Sequence, residues 1–243
     1  MNMNERIRCT AIVLAAGQGK RMGTSVQKQY IELNGEPLIC YPLRVFQQSA
    51  LIDEIILVAG SGQVSYVRDE IVKKYDFSKV SAVTEGGKER YDSVRQGLKA
   101  MMQGRNFAEQ TPGYVFIHDG ARPFVDEEII QRGYECVKRY HACVAGMPSK
   151  DTVKLANEEG FAVKTPERKY VWIVQTPQVF EASLIIEAYS RLEGQECINV
   201  TDDAMVVEKM MGAEVKLFEG SYENIKITTP EDLKIARAFL KKS

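Results

Sequence analysis

Short β-rich runs alternate with amphipathic stretches through the first 147 residues, and this rhythm predicts a parallel α/β architecture. Strands are expected at 11–16, 54–59, 80–84, 114–118 and 143–147, with helical patterns between them at 41–49, 63–75, 90–102 and 126–140. In the third of these helices Val94, Leu98 and Met101 recur at helical spacing and mark one buried face. Gly60-Ser61-Gly62 and Glu85-Gly86-Gly87 fall just after strands, at the carboxyl ends where such sheets bind ligands. A chain of 243 residues with 44% hydrophobic content can enclose one sizeable core.

The rhythm breaks near Pro148. From Asp151 to Thr165, alternating residues flank a turn that ends in Gly160, which reads as a β-hairpin. A polar hairpin of this size is marginal alone, so it is expected to lean on its own domain or on a partner subunit. Val171–Thr176 resumes a strand that Pro177 is expected to end. Helices follow at 181–192 and 202–211, strands at 214–218 and 225–228, and then a last helix. That helix has a strong start, with Thr229 as N-cap, Pro230 at the first position and Glu231 and Asp232 in the first turn.

The first strand runs into Leu14-Ala15-Ala16-Gly17-Gln18-Gly19-Lys20-Arg21-Met22-Gly23, with Lys28 five residues on. Small residues at a strand exit let backbone N–H groups approach an anion. Residues 1–28 carry five Lys/Arg against one acid, in a chain of formal net charge −1. Positive charge is therefore concentrated where a polyphosphate would sit. The dinucleotide fingerprint fails, because Met22 stands where its third glycine belongs. The Walker-type loop fails as well, since Met22-Gly23-Thr24 stands in place of Gly-Lys-Ser/Thr. A glycine-rich turn with solvated basic residues is the alternative.

A near-neutral balance argues against a general nucleic-acid binder. No apolar run approaches the ~20 residues that span a bilayer, so no membrane association is expected. The first ten residues lack the apolar core of a secretion signal, and a cytoplasmic location is expected. Five widely spaced cysteines without a Cys-x-x-Cys pair speak against a disulfide framework and against structural zinc. The two histidines, His118 and His141, leave little room for a nucleophilic triad.

Asp119, at a strand end beside Gly120 and Arg122, is placed to meet a hard cation carrying phosphate ligands. A plain Asp–Arg surface pair is the alternative, and His118 reads as a hydrogen-bonded residue of the sheet. Other polar clusters also sit at segment boundaries: Gly86 to Arg90 leading to Ser93, Asp151-Thr152, Arg168, Thr176-Pro177-Gln178, Thr201-Asp202-Asp203 and Asn224-Ile225-Lys226. Each alone is bland; Thr201 could simply cap a helix and Lys226 could be a solvated strand residue. Their joint occurrence at the ends of elements points to a site.

Taken together, LAAGQGKRMG…KQY, GGKERYDSV, HDGARPF, DTVK, QTPQVF, TDDA and NIKITTPEDL occur in an order that resembles the 2-C-methyl-D-erythritol 4-phosphate cytidylyltransferase family, from about Ala11 to Leu240. The resemblance implies a Rossmann-like nucleotidyltransferase fold with a mostly parallel central sheet. It implies one domain over 1–243, with a β-arm at about 148–170 that interlocks with a second copy in a homodimer. Carried over position by position, Ala15, Ala16, Gly17, Gly19, Arg21 and Lys28 would wrap the CTP triphosphate, Arg21 and Lys28 stabilising charge on the reacting phosphates. Gly87, Lys88 and Ser93, together with Ala15 and Ala16, would line the cytosine and ribose pocket, and Asp119 would meet Mg²⁺ beside the CTP, with Arg122 close by. Thr152 and Arg168 from the partner's arm would join Arg122, Thr176, Thr201 and the catalytic Lys226 around the methylerythritol phosphate. One departure is visible: the family usually has Pro before the loop lysine, where this chain has Gln27.

The implied reaction uses a substrate phosphate oxygen as nucleophile on the α-phosphorus of CTP. With a second pKa near ~6, that oxygen is largely ionised at neutral pH and needs no general base. The alternatives are ribitol-5-phosphate cytidylyltransferase, with similar loop and Asp-Arg-Pro motifs, and a CTP-binding regulator without turnover.

Overall fold

The computed structural model describes residues 7–17, 27–103, 113–194 and 199–241. Strand β1 (Arg8–Ala15) is followed by a 3-10 turn at Lys28–Tyr30 and by a small hairpin of β2 (Glu32–Leu33) and β3 (Glu36–Pro37). Next come α1 (Cys40–Gln48), β4 (Glu54–Ala59), α2 (Val64–Tyr66), which continues as a π-helical stretch over Val67–Lys73, and β5 (Val80–Glu85). The chain goes on through α3 (Arg90–Gln103), β6 (Gly113–Asp119), α4 (Glu127–Tyr140) and β7 (Ala142–Pro148). After β8 (Leu155–Ala156) and β9 (Ala162–Lys164) come β10 (Trp172–Glu181), α5 (Ala182–Leu192), α6 (Asp203–Met211), β11 (Lys216–Glu219) and α7 (Pro230–Leu240).

Seven strands form one sheet in the order β11-β7-β10-β6-β1-β4-β5. All neighbours pair in parallel except β10, which runs antiparallel to both β6 and β7. The expected α/β class with a mostly parallel sheet is therefore what the chain adopts. β1 explains why: from Cys9 onward every residue is buried, and successive side chains feed opposite layers. Ala11, Val13 and Ala15 join Leu43, Phe46, Ile129 and Val137 of α1 and α4. Ile12 and Leu14 join Val94, Leu98, Ile185 and Val207 of α3, α5 and α6. At Gly97 a Cβ would come within 2.6 Å of Ile12 Cγ2, so only glycine lets α3 lie this close to the sheet.

Two expectations and one alternative need correction. β10 does not end at Pro177 but continues to Glu181; the Thr176–Pro177 bond is cis, and the pairing with β7 shifts register between Val174 and Gln178. That irregularity is where a residue without an N–H can be accommodated in a strand. Residues 225–228 form no strand, because Ile227 N donates to Ala121 O at 2.8 Å without a ladder to extend it. The N-cap of α6 is Asp202, which accepts from Met205 N at 2.9 Å, and not Thr201. The hairpin expected within 151–165 is present as β8 and β9, a two-stranded sheet whose residues are all exposed. Among the described residues no helix is long and apolar enough to cross a membrane.

Candidate active site

From β1 the sheet grows outward through β4 and β5 and then returns to the other side of β1 as β6. This reversal is the switch point at which α/β sheets open a crevice beyond their strands' carboxyl ends. A cavity of about 290 Å³ lies there, walled by Ala16 and Gly17 after β1, Lys28 on the 3-10 turn, Gly87, Lys88, Arg90 and Ser93 after β5, Asp119 after β6, and Lys226.

Local contacts set each wall. Gln29 Nε2 donates to Gly17 O at 3.1 Å and fixes the start of the loop. A Cβ on Gly86 would lie 2.5 Å from Ala16 Cβ and 2.7 Å from Ser93 Oγ, so glycine is what lets the β5 turn close against β1. Beyond it, Gly87 N donates to Ser93 Oγ at 3.2 Å.

Asp119 is the electrostatic centre. Lys226 Nζ reaches Asp119 Oδ2 at 2.6 Å, and Arg90 Nε reaches Oδ1 at 3.1 Å. Burial by itself pushes the carboxyl upward, but Arg90 and Lys226 outweigh it and hold Asp119 well below the usual carboxylate range. Arg90 also grips Asp203 with two bonds of 2.9 and 2.8 Å, and Asp203 accepts from the Tyr189 hydroxyl at 2.6 Å.

Behind Asp119 lies a relay of neutral groups. Asp119 N donates to Thr176 Oγ1 at 3.0 Å, and that hydroxyl stands 3.1 Å from His118 Nδ1. His118 Nε2 is 3.1 Å from the Arg122 carbonyl, which can only accept, so the ring proton sits on Nε2 and Nδ1 accepts from Thr176. Burial lowers His118 to about 4, leaving it neutral at physiological pH. It is the hydrogen-bonded sheet histidine that the sequence suggests.

Of the sequence-derived candidates, Ala16, Gly17, Lys28, Gly87, Lys88, Ser93, Asp119 and Lys226 meet in this one cavity. Ala15 is fully buried at the end of β1. Gly19 and Arg21 lie outside the described residues. Arg122 borders a second cavity of about 420 Å³ that shares Lys226 with the first and is also walled by Lys150, Asp151 and Tyr222. Its guanidinium donates to Asn224 O at 2.8 Å. Thr176 is buried with its hydroxyl engaged, whereas Thr201 and Thr152 are exposed and border neither cavity. Arg168 is exposed beside Pro148 and Ser149. The sequence reading missed Arg90, Asp203 and Tyr189 as a unit; the basic cluster after β5 and the TDDA motif flagged two of them, but nothing local joins them.

A family model described as IspD, 2-C-methyl-D-erythritol 4-phosphate cytidylyltransferase, matches residues 9–242. The chain is 51% identical over 233 residues to the protein of that name from Lachnospira eligens, covering 96% of this chain and 99% of that one. It is 45% identical over 234 residues to the one from Alkaliphilus oremlandii, covering 96% and 95%. Among solved structures, 4-diphosphocytidyl-2C-methyl-D-erythritol synthase from Anaerococcus prevotii superposes with a TM-score of 0.81 at 33% identity, covering 97% and 99% of the two chains. The Francisella tularensis 2-C-methyl-D-erythritol 4-phosphate cytidylyltransferase gives a TM-score of 0.76 at 28% identity, covering 95% and 99%.

Proposed function

The chain belongs to the 2-C-methyl-D-erythritol 4-phosphate cytidylyltransferase family, and from that premise we propose how its residues divide the work. It is a nucleotidyltransferase of the non-mevalonate isoprenoid pathway, joining CTP and 2-C-methyl-D-erythritol 4-phosphate into 4-diphosphocytidyl-2-C-methyl-D-erythritol with release of pyrophosphate. Ala15, Ala16, Gly17 and Gly19 bring backbone groups to the triphosphate, and Arg21 and Lys28 bring charge. Gly87, Lys88 and Ser93 take the nucleoside. Arg122, Thr176, Thr201 and Lys226 take the polyol phosphate, with Thr152 and Arg168 supplied by a second subunit. One domain with an arm at 148–170 suits that arrangement.

The observation that carries this reading is the convergence of Lys28, Lys226 and Asp119 with Gly17 and Gly87 on one cavity at the switch point. Lys226 borders both cavities, so one ammonium faces the two reactants. The attacking phosphate oxygen arrives ionised, and the task is to bring two anions together and to stabilise the charge that moves onto pyrophosphate. The cations of Lys28 and Lys226 answer both needs. His118 takes no part in proton transfer, since both ring nitrogens are engaged.

Among the described residues no group of three or more His, Cys, Asp or Glu could hold a metal by itself. The ionised carboxylate of Asp119 instead fits Mg²⁺ carried in by triphosphate oxygens, the usual mode of one or two carboxylates plus phosphates. When bound there, the ion supplies neutralisation of phosphate charge.

The test is pyrophosphate release from CTP with 2-C-methyl-D-erythritol 4-phosphate. Release that is lost on chelation and restored by Mg²⁺ is expected, with ribitol 5-phosphate a poor acceptor. Full turnover under complete chelation removes the metal, and equal turnover with ribitol 5-phosphate removes the assigned specificity.

A further inference from the structure

The geometry points to Arg90 as a positioning residue for the transfer, a planar fork that ties the Asp119 carboxylate to a buried anchor on α6. The inference rests on the assignment of Asp119 to the metal and triphosphate end of the site. Arg90 opens α3 directly after the Gly86–Glu89 turn, so its backbone belongs to the nucleoside wall. Its side chain spans two carboxylates: Nε holds Asp119 Oδ1 at 3.1 Å, and Nη1 and Nη2 hold the two oxygens of Asp203 at 2.9 and 2.8 Å.

Asp203 is a rigid anchor. Its side chain is 0% exposed and accepts from the Tyr189 hydroxyl at 2.6 Å. The backbone beneath it is pinned too, because Gln178 Oε1 accepts from both Asp203 N and Ala204 N at 3.0 Å. A bidentate guanidinium–carboxylate pair fixes orientation as well as distance, and a lysine at position 90 could not hold both acids in one plane.

The two cations on Asp119 therefore differ. Lys226 is a flexible ammonium with a side chain 37% exposed, facing both cavities. Arg90 is 26% exposed and immobilised from behind. One oxygen of Asp119 is held by a fixed group while the other meets a group that can turn toward a phosphate. A buried ion pair adds little stability over apolar packing of the same volume, whereas it does set geometry. Positioning is the role that uses what this pair provides.

The experiment measures kcat, KM for each substrate and melting temperature for Arg90→Lys and for the double variant Arg90→Met/Asp203→Asn, with Asp119→Asn alongside. The double variant removes both buried charges together and leaves Tyr189 an acceptor. Its melting temperature should stay within about 5 °C of the parent. Its kcat should fall about 10- to 100-fold, the range for displacing a reacting geometry by about 1 Å, with either KM changed less than about threefold. Arg90→Lys should lie between the double variant and the parent. A folded double variant with parental kcat overturns the proposal, as does a loss confined to KM for CTP. Should the double variant fail to fold, parental kcat in Arg90→Lys overturns it equally. Parental turnover in Asp119→Asn withdraws the underlying assignment, and the role of Arg90 with it; low turnover there beside normal Arg90 variants withdraws this inference alone.

Discussion

Lys226 borders both cavities and closes on Asp119 at 2.6 Å, and that position makes it the most sensitive single side chain on the polyol side. Truncating it to Met leaves the stem but removes the charge. Lys226→Met and Lys28→Ala should each lower kcat by about 10²- to 10³-fold, the cost of removing one well-aimed donor, with far-ultraviolet circular dichroism unchanged. Pyrophosphate release measures this, and near-parental kcat in either variant removes that residue from the transfer. Gln27 poses a different question. Its backbone sits at φ −60° and ψ 137°, values a proline adopts without strain. Its side-chain amide lies where a Cβ on Gly60 would approach to 2.9 Å, and Oε1 is buried with no partner among the described residues. Gln27→Pro should raise unfolding free energy by about 0.4–1 kcal/mol through the unfolded chain's lost freedom. Urea denaturation of the two proteins gives the difference, and a destabilised variant refutes the fit.

Helix α7 shows how an element far from the chemistry sets it. Asp232 Oδ2 accepts from Thr228 N at 2.7 Å, Thr228 Oγ1 at 2.8 Å and Thr229 N at 2.8 Å, tying the helix start to the segment that carries Lys226. Ala236 and Leu233 then pack with Ile227 and Ala121, and Ile227 N bonds to Ala121 O beside Asp119. Burial pushes the Asp232 carboxyl up, but the hydrogen bonds from Thr228 and Thr229 together outweigh it, so the net shift is downward. A lowered folded-state pKa means that the stabilisation is complete above the unfolded value of about 3.9 and is lost as pH falls through the folded one. Asp232→Ala should cost about 1 kcal/mol at pH 7, and the gap to the parent should shrink as pH drops below 4. Urea midpoints across that range decide it, and a gap independent of pH excludes the ionised cap. The same contrast between local and distant signals explains what could be read in advance. Glu54–Ala59 matched from end to end because a run buried on both faces announces itself. The glycines after β1 and β5 marked the cavity for the same local reason. Pro177 misled because its cost is absorbed by a register shift that only pairing with β7 reveals. Arg90 and Asp203 stand 113 positions apart, and no periodicity relates them.

At the scale of the whole molecule, the hairpin of β8 and β9 is the element the single chain does not account for. Among the described residues it pairs only with itself, and it presents Phe161 at 66%, Val163 at 64% and, just beyond, Tyr170 at 73% exposure. Two-stranded ribbons are marginal in water and contiguous apolar surface marks a contact, and a second copy of the chain is the cover we propose. Arg168 and Thr152 lie on this segment and border neither site cavity of their own chain. If they act in a partner's site, each complete site draws Lys28 from one subunit and Arg168 from the other. Lys28→Ala and Arg168→Ala homodimers are then both defective. A heterodimer of the two holds one site missing both groups and one site missing neither. Random remixing makes half the dimers heterodimers, so about a quarter of parental activity should return. Were both groups drawn from the same chain, every site in the mixture would lack one of them and nothing would return. Refolding the two variants together, separating heterodimers by distinct affinity tags and assaying pyrophosphate release distinguishes the cases. Inactive heterodimers of confirmed composition would place Arg168 in the same chain's site as Lys28 and overturn the shared arrangement.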